Sequence, residues 1–115
     1  MKVDDFKNLT ISIGCDNTQK LLESLFWDYE VNREATASTY TLPYDNKTDY
    51  IIHINEKVLK WSYAGIAAVS AHEAYHYCLS NYPTEDEEYF AYKIEDVVGK
   101  IVYQITTIKE KTKQG

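Results

Sequence analysis

Two histidines and a glutamate stand together at His72-Glu73-Ala74-Tyr75-His76, and their types and spacing describe a definite chemistry. On an α-helix, residues four apart lie one turn above each other on one face, so the imidazoles of His72 and His76 can reach a single ion. Zinc suits them, because it takes nitrogen ligands at about 2.0–2.1 Å in tetrahedral geometry, and a catalytic site keeps one position open for water. Glu73 lies about 100° round the helix from His72. There it can touch a metal-bound water without binding the ion, which is the place of a general base. Two unconnected histidines that fall four apart would give the same pattern, and the preceding residues argue against that. Tyr63 to Ala71 is small or apolar on every side, as in a helix buried in a domain. Polar groups at the end of such a helix need partners, and a metal with its water supplies them.

The elements that must position these residues belong to a chain of 115 residues, 44% of them hydrophobic. That length is expected to make one compact domain with a modest core and to leave no room for a second. A net charge of −6 argues against a nucleic-acid binder, which needs clustered Lys and Arg to neutralise phosphates. Cys15 and Cys78 are far apart and in no CxxC spacing, so both are expected to be reduced thiols. Met1 to Lys7 carries early acids and no apolar run, which argues against a secretory signal, and no segment has the length of a membrane span. The expected location is the cytoplasm. Eleven tyrosines point to half-buried surfaces that use Tyr where larger proteins use Phe or Leu.

Leu9 to Ile13 alternates and ends at Gly14, which predicts a strand. Asp16, Asn17 and Thr18 offer caps to a helix over Gln19 to Trp27 that should cover one face of a sheet. Ser38 to Leu42 and Asp49 to Ile54 are β-branched and aromatic runs joined by a turn at Asp45-Asn46-Lys47, so an antiparallel hairpin is expected. His53 alternates with Tyr50, Ile52 and Ile54 and points to the opposite face, as a structural or solvent-facing histidine and not a ligand. Ser62 is the N-cap of a helix from about Tyr63 to Ser80, stopped by Asn81 and Pro83. A last helix follows Thr84, with Phe90, Ile94, Val97, Val98, Ile101, Val102, Ile105 and Ile108 as its core stripe and Lys109 to Gly115 as a frayed tail.

With Ser62-Tyr63 opening one helix, His72-Glu73-Ala74-Tyr75-His76 closing it and Glu88-Tyr89-Phe90-Ala91-Tyr92-Lys93-Ile94-Glu95 beyond, the chain resembles zincin-type metalloproteins. Within them it is similar to the small HExxH proteins of bacteriophage and prophage genomes. The likeness covers the two long helices and, more loosely, the hairpin. It implies an α+β, minimal zincin-like fold in which a small sheet containing antiparallel strands packs on three helices and has an edge strand near the active-site helix. It also implies zinc held by His72, His76 and Glu88 with Glu73 as base. Glu95 departs from the pattern, standing where an uncharged amide is expected and adding negative charge near the site.

The function so implied is a zinc-dependent metallopeptidase or amide hydrolase. Zinc would polarise a carbonyl and acidify its water, Glu73 would take the proton, and one further donor would hold the oxyanion. Tyr92 is a candidate for that donor, with packing beside the site as its alternative role. A peptide or a particular host protein is the expected partner, bound as an added strand along Asp49 to Ile54 if that strand lies at the sheet edge. The rival reading is an acidic, phage-encoded binding protein that keeps the metal only to brace two helices. The oligomeric state is open. Among Glu85, Asp86, Glu87 and Glu88, a helical hairpin about Asn81 to Pro83 sets Glu88 level with His76, with small Ala91 on the same face. Glu87 is expected to be occupied in a capping box with Thr84, and Glu87→Ala is accordingly expected to cost only capping energy.

Overall fold

A computed structural model of the chain describes residues 8–80 and 84–114. Its elements are β1 (Leu9–Ile13), α1 (Cys15–Ser24), β2 (Ala37–Pro43), β3 (Thr48–Ile54), a 3-10 turn over Glu56–Lys60, α2 (Tyr63–Cys78) and α3 (Glu87–Gln114). The chain is thus α+β, with three helices and one small mixed sheet, and it falls into two compact units, residues 1–56 and 57–115. The stretch Met1 to Lys7, the stop at Asn81 to Pro83 and Gly115 lie outside the described residues. Among those described, no helix is long and apolar enough to cross a membrane.

In the first unit β2 and β3 form the expected antiparallel hairpin, closed by Tyr44 N–H donating to the Lys47 carbonyl at 2.7 Å. On its other side β3 takes β1 in parallel, with Ile11 opposite Ile52 and Ser12 opposite His53. β3 is therefore the central strand, and the run Tyr50 to His53 is buried throughout. The condition for adding a peptide strand along Asp49 to Ile54, that it lie at the sheet edge, is therefore not met. Both edges of that strand are already hydrogen-bonded, so it has no free ladder to offer an added strand.

α1 begins earlier than its polar residues suggest because its cap comes from elsewhere in the chain. Gly14 turns at φ 101° and ψ 137°, a region that side chains rarely tolerate, and donates its N–H to the Ile54 carbonyl at 2.8 Å. Glu56 Oε2 then accepts the Cys15 N–H at 2.8 Å, placing a carboxylate where the helix dipole is positive. Asn17 donates its side-chain amide to the Ile13 carbonyl. Leu25 closes the helix and Phe26 reverses the chain at φ 63°, so Phe26 and Trp27 lie beyond it.

Leu22, Leu42, Ile51, Cys15 and Val31 make the core of this unit, flanked by Trp27, Tyr40 and Tyr44. His53 is wholly buried beside them. Its Nδ1 lies 2.6 Å from Thr18 Oγ1, which in turn meets Ser12 Oγ at 2.7 Å, and Cys15 Sγ stands 3.8 Å from its Nε2. His53 is thus a satisfied structural histidine. Burial also pushes the Cys15 thiol above its ordinary range, with the nearby Glu56 adding to the shift, which keeps the sulfur protonated and unreactive.

Burial holds the His53 pKa below its ordinary 6.5 against the opposing pull of Glu56. A depressed histidine binds its proton more readily when unfolded, so its contribution is intact above about pH 6.5 and declines as pH falls from there through the folded pKa. The His53 ring should accordingly stay neutral at a pH where an exposed histidine is charged. Titration of its ring carbons by NMR checks this, and a midpoint at or above that of a free histidine contradicts it.

In the second unit Ser62 Oγ accepts the Gly65 N–H at 3.2 Å and starts α2 where expected. α2 packs along α3, and small residues set their spacing. A methyl group placed on Gly99 would stand 3.4 Å from the Ala68 side chain and 3.9 Å from the Ala64 carbonyl. Two sequence expectations are corrected. Within α2 only Val69, His72 and Glu73 are buried, so its small residues serve close approach by one neighbour and are not enclosed on all sides. Within α3 the expected core stripe divides: Ile94, Val98 and Val102 are half-buried, and Phe90, Val97, Ile101, Ile105 and Ile108 are exposed. The apolar arc is wider than one packed helix can cover. α3 also continues through Lys109 and Lys111 to Gln114, where lysines in the last turns favour the negative end of the helix dipole.

Candidate metal centre

The end of α2 and the start of α3 bring three donors to one point. His72 Nε2 and His76 Nε2 are 3.1 Å apart, and Glu88 Oε1 lies 2.9 Å from the first and 3.2 Å from the second. The cause is local. Four-residue spacing brings the two imidazoles together, with ring centres 4.9 Å apart and planes tilted by 59°, and the first turn of α3 comes against the last turns of α2. Ala91, one turn beyond Glu88 and fully buried, is small enough to let this happen.

The donor set fits a tetrahedral ion. An ion about 2.0–2.1 Å from its ligands holds them roughly 3.3 Å apart, close to the three separations found. The tautomer fits too. Glu87 Oε2 lies 2.6 Å from His76 Nδ1, and since a carboxylate only accepts, Nδ1 carries the proton and the neutral ring turns its Nε2 lone pair toward His72 and Glu88. Carboxylate, imidazole and metal in a row is the arrangement that fixes ring orientation and strengthens the ligand. Among the described residues His72 Nδ1 is buried with no hydrogen-bond partner, and Glu95 Oε1 stands 3.6 Å from it, beyond a hydrogen bond.

Glu87 therefore has a different use from the one its position in the sequence suggests. Its carboxylate meets His76, and its own N–H donates to the Thr84 carbonyl at 3.3 Å. Sequence reasoning missed it as part of the site, although the signal is present: adjacent acids in a first turn diverge by about 100°, enough to address the two nitrogens of one imidazole. The seven-residue step from Glu88 to Glu95 was a second signal, since it returns to the same helix face two turns on. Glu73 is buried, and its charge acts on His76. The ring of Tyr92 meets His72 edge to face at 4.7 Å between centres, a packing contact that limits the tilt of the imidazole.

Burial lowers the pKa of His76, but its hydrogen bonds to Glu87 and Glu88 and the charges around it outweigh this and leave it above its ordinary value. In the metal-free protein a raised histidine stabilises fully below about pH 6.5 and loses that contribution as pH rises through the folded pKa. Metal uptake runs the other way, because the proton must leave first.

Comparison with protein-family models, with curated proteins and with solved structures gives no match. The site is defined by its own geometry: His72, His76 and Glu88 form a group able to hold a metal ion.

Calorimetric titration with zinc should separate these roles. His72→Ala, His76→Ala and Glu88→Ala should each weaken binding by orders of magnitude, Glu87→Ala by about 10–100-fold, and binding to the parent should fall as pH drops below the raised His76 pKa. Parent-like affinity in Glu87→Ala returns that residue to a capping role alone.

Proposed function

We propose that the protein is a minimal, zincin-like zinc-dependent hydrolase of peptide or protein amides, similar to the small HExxH proteins of phage and prophage genomes. One observation carries this reading: two imidazole nitrogens and a single carboxylate oxygen converge within 3.2 Å, and the buried Glu73 follows the first histidine directly. A structural zinc site fills all four positions with protein ligands, whereas a catalytic one uses three and leaves a place for reactants. The group has three members among the described residues, which favours the hydrolase over a brace between helices.

Zinc held by His72, His76 and Glu88 would supply Lewis-acid polarisation of the scissile carbonyl and acidify a water molecule. Glu73 would receive the proton of the attacking water and pass it to the departing nitrogen, acting first as base and then as acid. Glu87 would hold His76 in its Nδ1–H tautomer, and Tyr92 would hold the plane of His72 while its phenol serves as a donor to developing negative charge. With β3 enclosed on both sides, substrate would have to bind by another surface than the one expected from the sequence.

Glu73→Gln should abolish hydrolysis of a peptide substrate while zinc affinity and melting temperature stay near those of the parent. Full activity in that variant removes the proposed mechanism. Chelation of the parent should lower its melting temperature, because about 2.7 kcal/mol of stability is lost where free metal had stood at a hundred times its Kd. A melting curve indifferent to both chelator and added zinc is the result that denies a metal site.

A further inference from the structure

One buried atom of the metal centre has no use in the unloaded protein. His72 is 8% exposed, its Nδ1 is without a hydrogen-bond partner among the described residues, and Glu95 Oε1 stops 3.6 Å from it. The other ring nitrogen explains why. His72 Nε2 faces two acceptors, Glu88 Oε1 at 2.9 Å and His76 Nε2 at 3.1 Å, and the second of these is a bare lone pair because Glu87 holds the His76 proton on Nδ1. The single proton of a neutral His72 ring therefore sits on Nε2, where acceptors lie within hydrogen-bond distance. Nδ1 is left with a lone pair turned toward a carboxylate. Neither atom has a proton to share, and a buried acceptor without a donor is costly to keep.

We propose that Glu95 is a positioning residue for the metal, the acceptor of a proton that His72 carries on Nε2 when empty and on Nδ1 when loaded. This rests on His72, His76 and Glu88 holding the ion. To bind, His72 must offer its Nε2 lone pair, so the N–H bond there breaks and its proton passes to solvent beside Glu88, whose side chain is 62% exposed. A proton from solvent reaches Nδ1 by way of Glu95, whose side chain is 33% exposed, whereas Nδ1 itself is closed to water. One proton leaves, one arrives, and the ring begins and ends neutral. The ring has no need to swing, since Nε2 already stands with the other donors and Tyr92 lies edge to face against it at 4.7 Å. Only Glu95 closes, by about 0.7 Å, to reach an ordinary N–H···O separation. The two histidines thus differ: Glu87, at 2.6 Å, sets His76 for the ion beforehand, and His72 is set as the ion arrives. The choice of an acid at position 95 matters, because an amide could donate to the Nδ1 lone pair in the empty protein and accept from Nδ1–H in the loaded one. A carboxylate can only accept. Glu95 therefore leaves the empty state unsatisfied and favours the loaded one.

Nitrogen NMR of the full chain carrying isotope-labelled histidine, recorded well above the raised His76 pKa, reads the tautomers directly. His72 should be Nε2–H without zinc and Nδ1–H with saturating zinc, while His76 is Nδ1–H in both. Glu95→Ala should bind zinc about 10–100-fold more weakly. Glu95→Gln should fall between that variant and the parent, and its metal-free form should melt above the metal-free parent. A His72 ring that is already Nδ1–H without zinc overturns the proposal, as does parent-like zinc affinity in Glu95→Ala. Calorimetry on the same samples separates the two readings. A parent that takes up no zinc removes the metal centre and this inference together, whereas uptake with the His72 proton still on Nε2 removes this inference alone.

Discussion

The second unit depends on the convergence of three electron-pair donors at the junction of two helices. Two imidazole nitrogens and a carboxylate oxygen at 2.9–3.2 Å cannot all be satisfied by each other. A neutral His72 has a single ring proton, which on Nε2 can serve the carboxylate or the other nitrogen but not both fully, and a second proton there adds positive charge to a half-buried site. A divalent cation satisfies all three at once. Close helix packing by Ala64, Ala68, Gly99 and Ala91 makes that convergence possible, because bulkier side chains would hold α2 and α3 too far apart.

The carboxylates around the centre divide the work by distance. Glu88 is placed with the donors, Glu87 behind His76, and Glu95 at 3.6 Å behind His72. Their combined charge favours a cation, and at His76 burial lowers the pKa while hydrogen bonds to Glu87 and Glu88 and the charges of Glu88 and Glu73 raise it by more. Glu95, which looked out of place against the zincin pattern, belongs to this set.

What was legible in the sequence was whatever depends on short-range spacing. His72 and His76 meet because they are four apart, Ser62 caps α2 because its hydroxyl reaches Gly65, and Asp45-Asn46-Lys47 turns the hairpin. The partnership of Glu88 with these histidines could be argued from the helical hairpin, but the use of Glu87 could not, since a first-turn glutamate after Thr84 satisfies capping rules equally well. Strand order was hidden for a related reason. Nothing in Leu9 to Ile13 says which strand it joins, and its place beside β3 makes β3 the centre of the sheet. The α3 stripe misled because an apolar periodicity reports that a face is to be covered without saying by what.

The carboxylate of Glu56 at the start of α1 bears on how the first unit forms. That helix has ten residues and no side-chain cap of its own, and the group that receives its first amide is 41 residues away, just past the end of β3. Gly14, the residue before it, is likewise tied to Ile54. A helix so short is marginal by itself in water. Its start is therefore completed only when β3 has come alongside β1, a parallel pairing across a long stretch of chain that carries a high loop-closure cost. The consequence is kinetic: in this unit helix and sheet should consolidate together, in a late step governed by a distant contact, while the α2–α3 hairpin, built from neighbours in sequence, can form first.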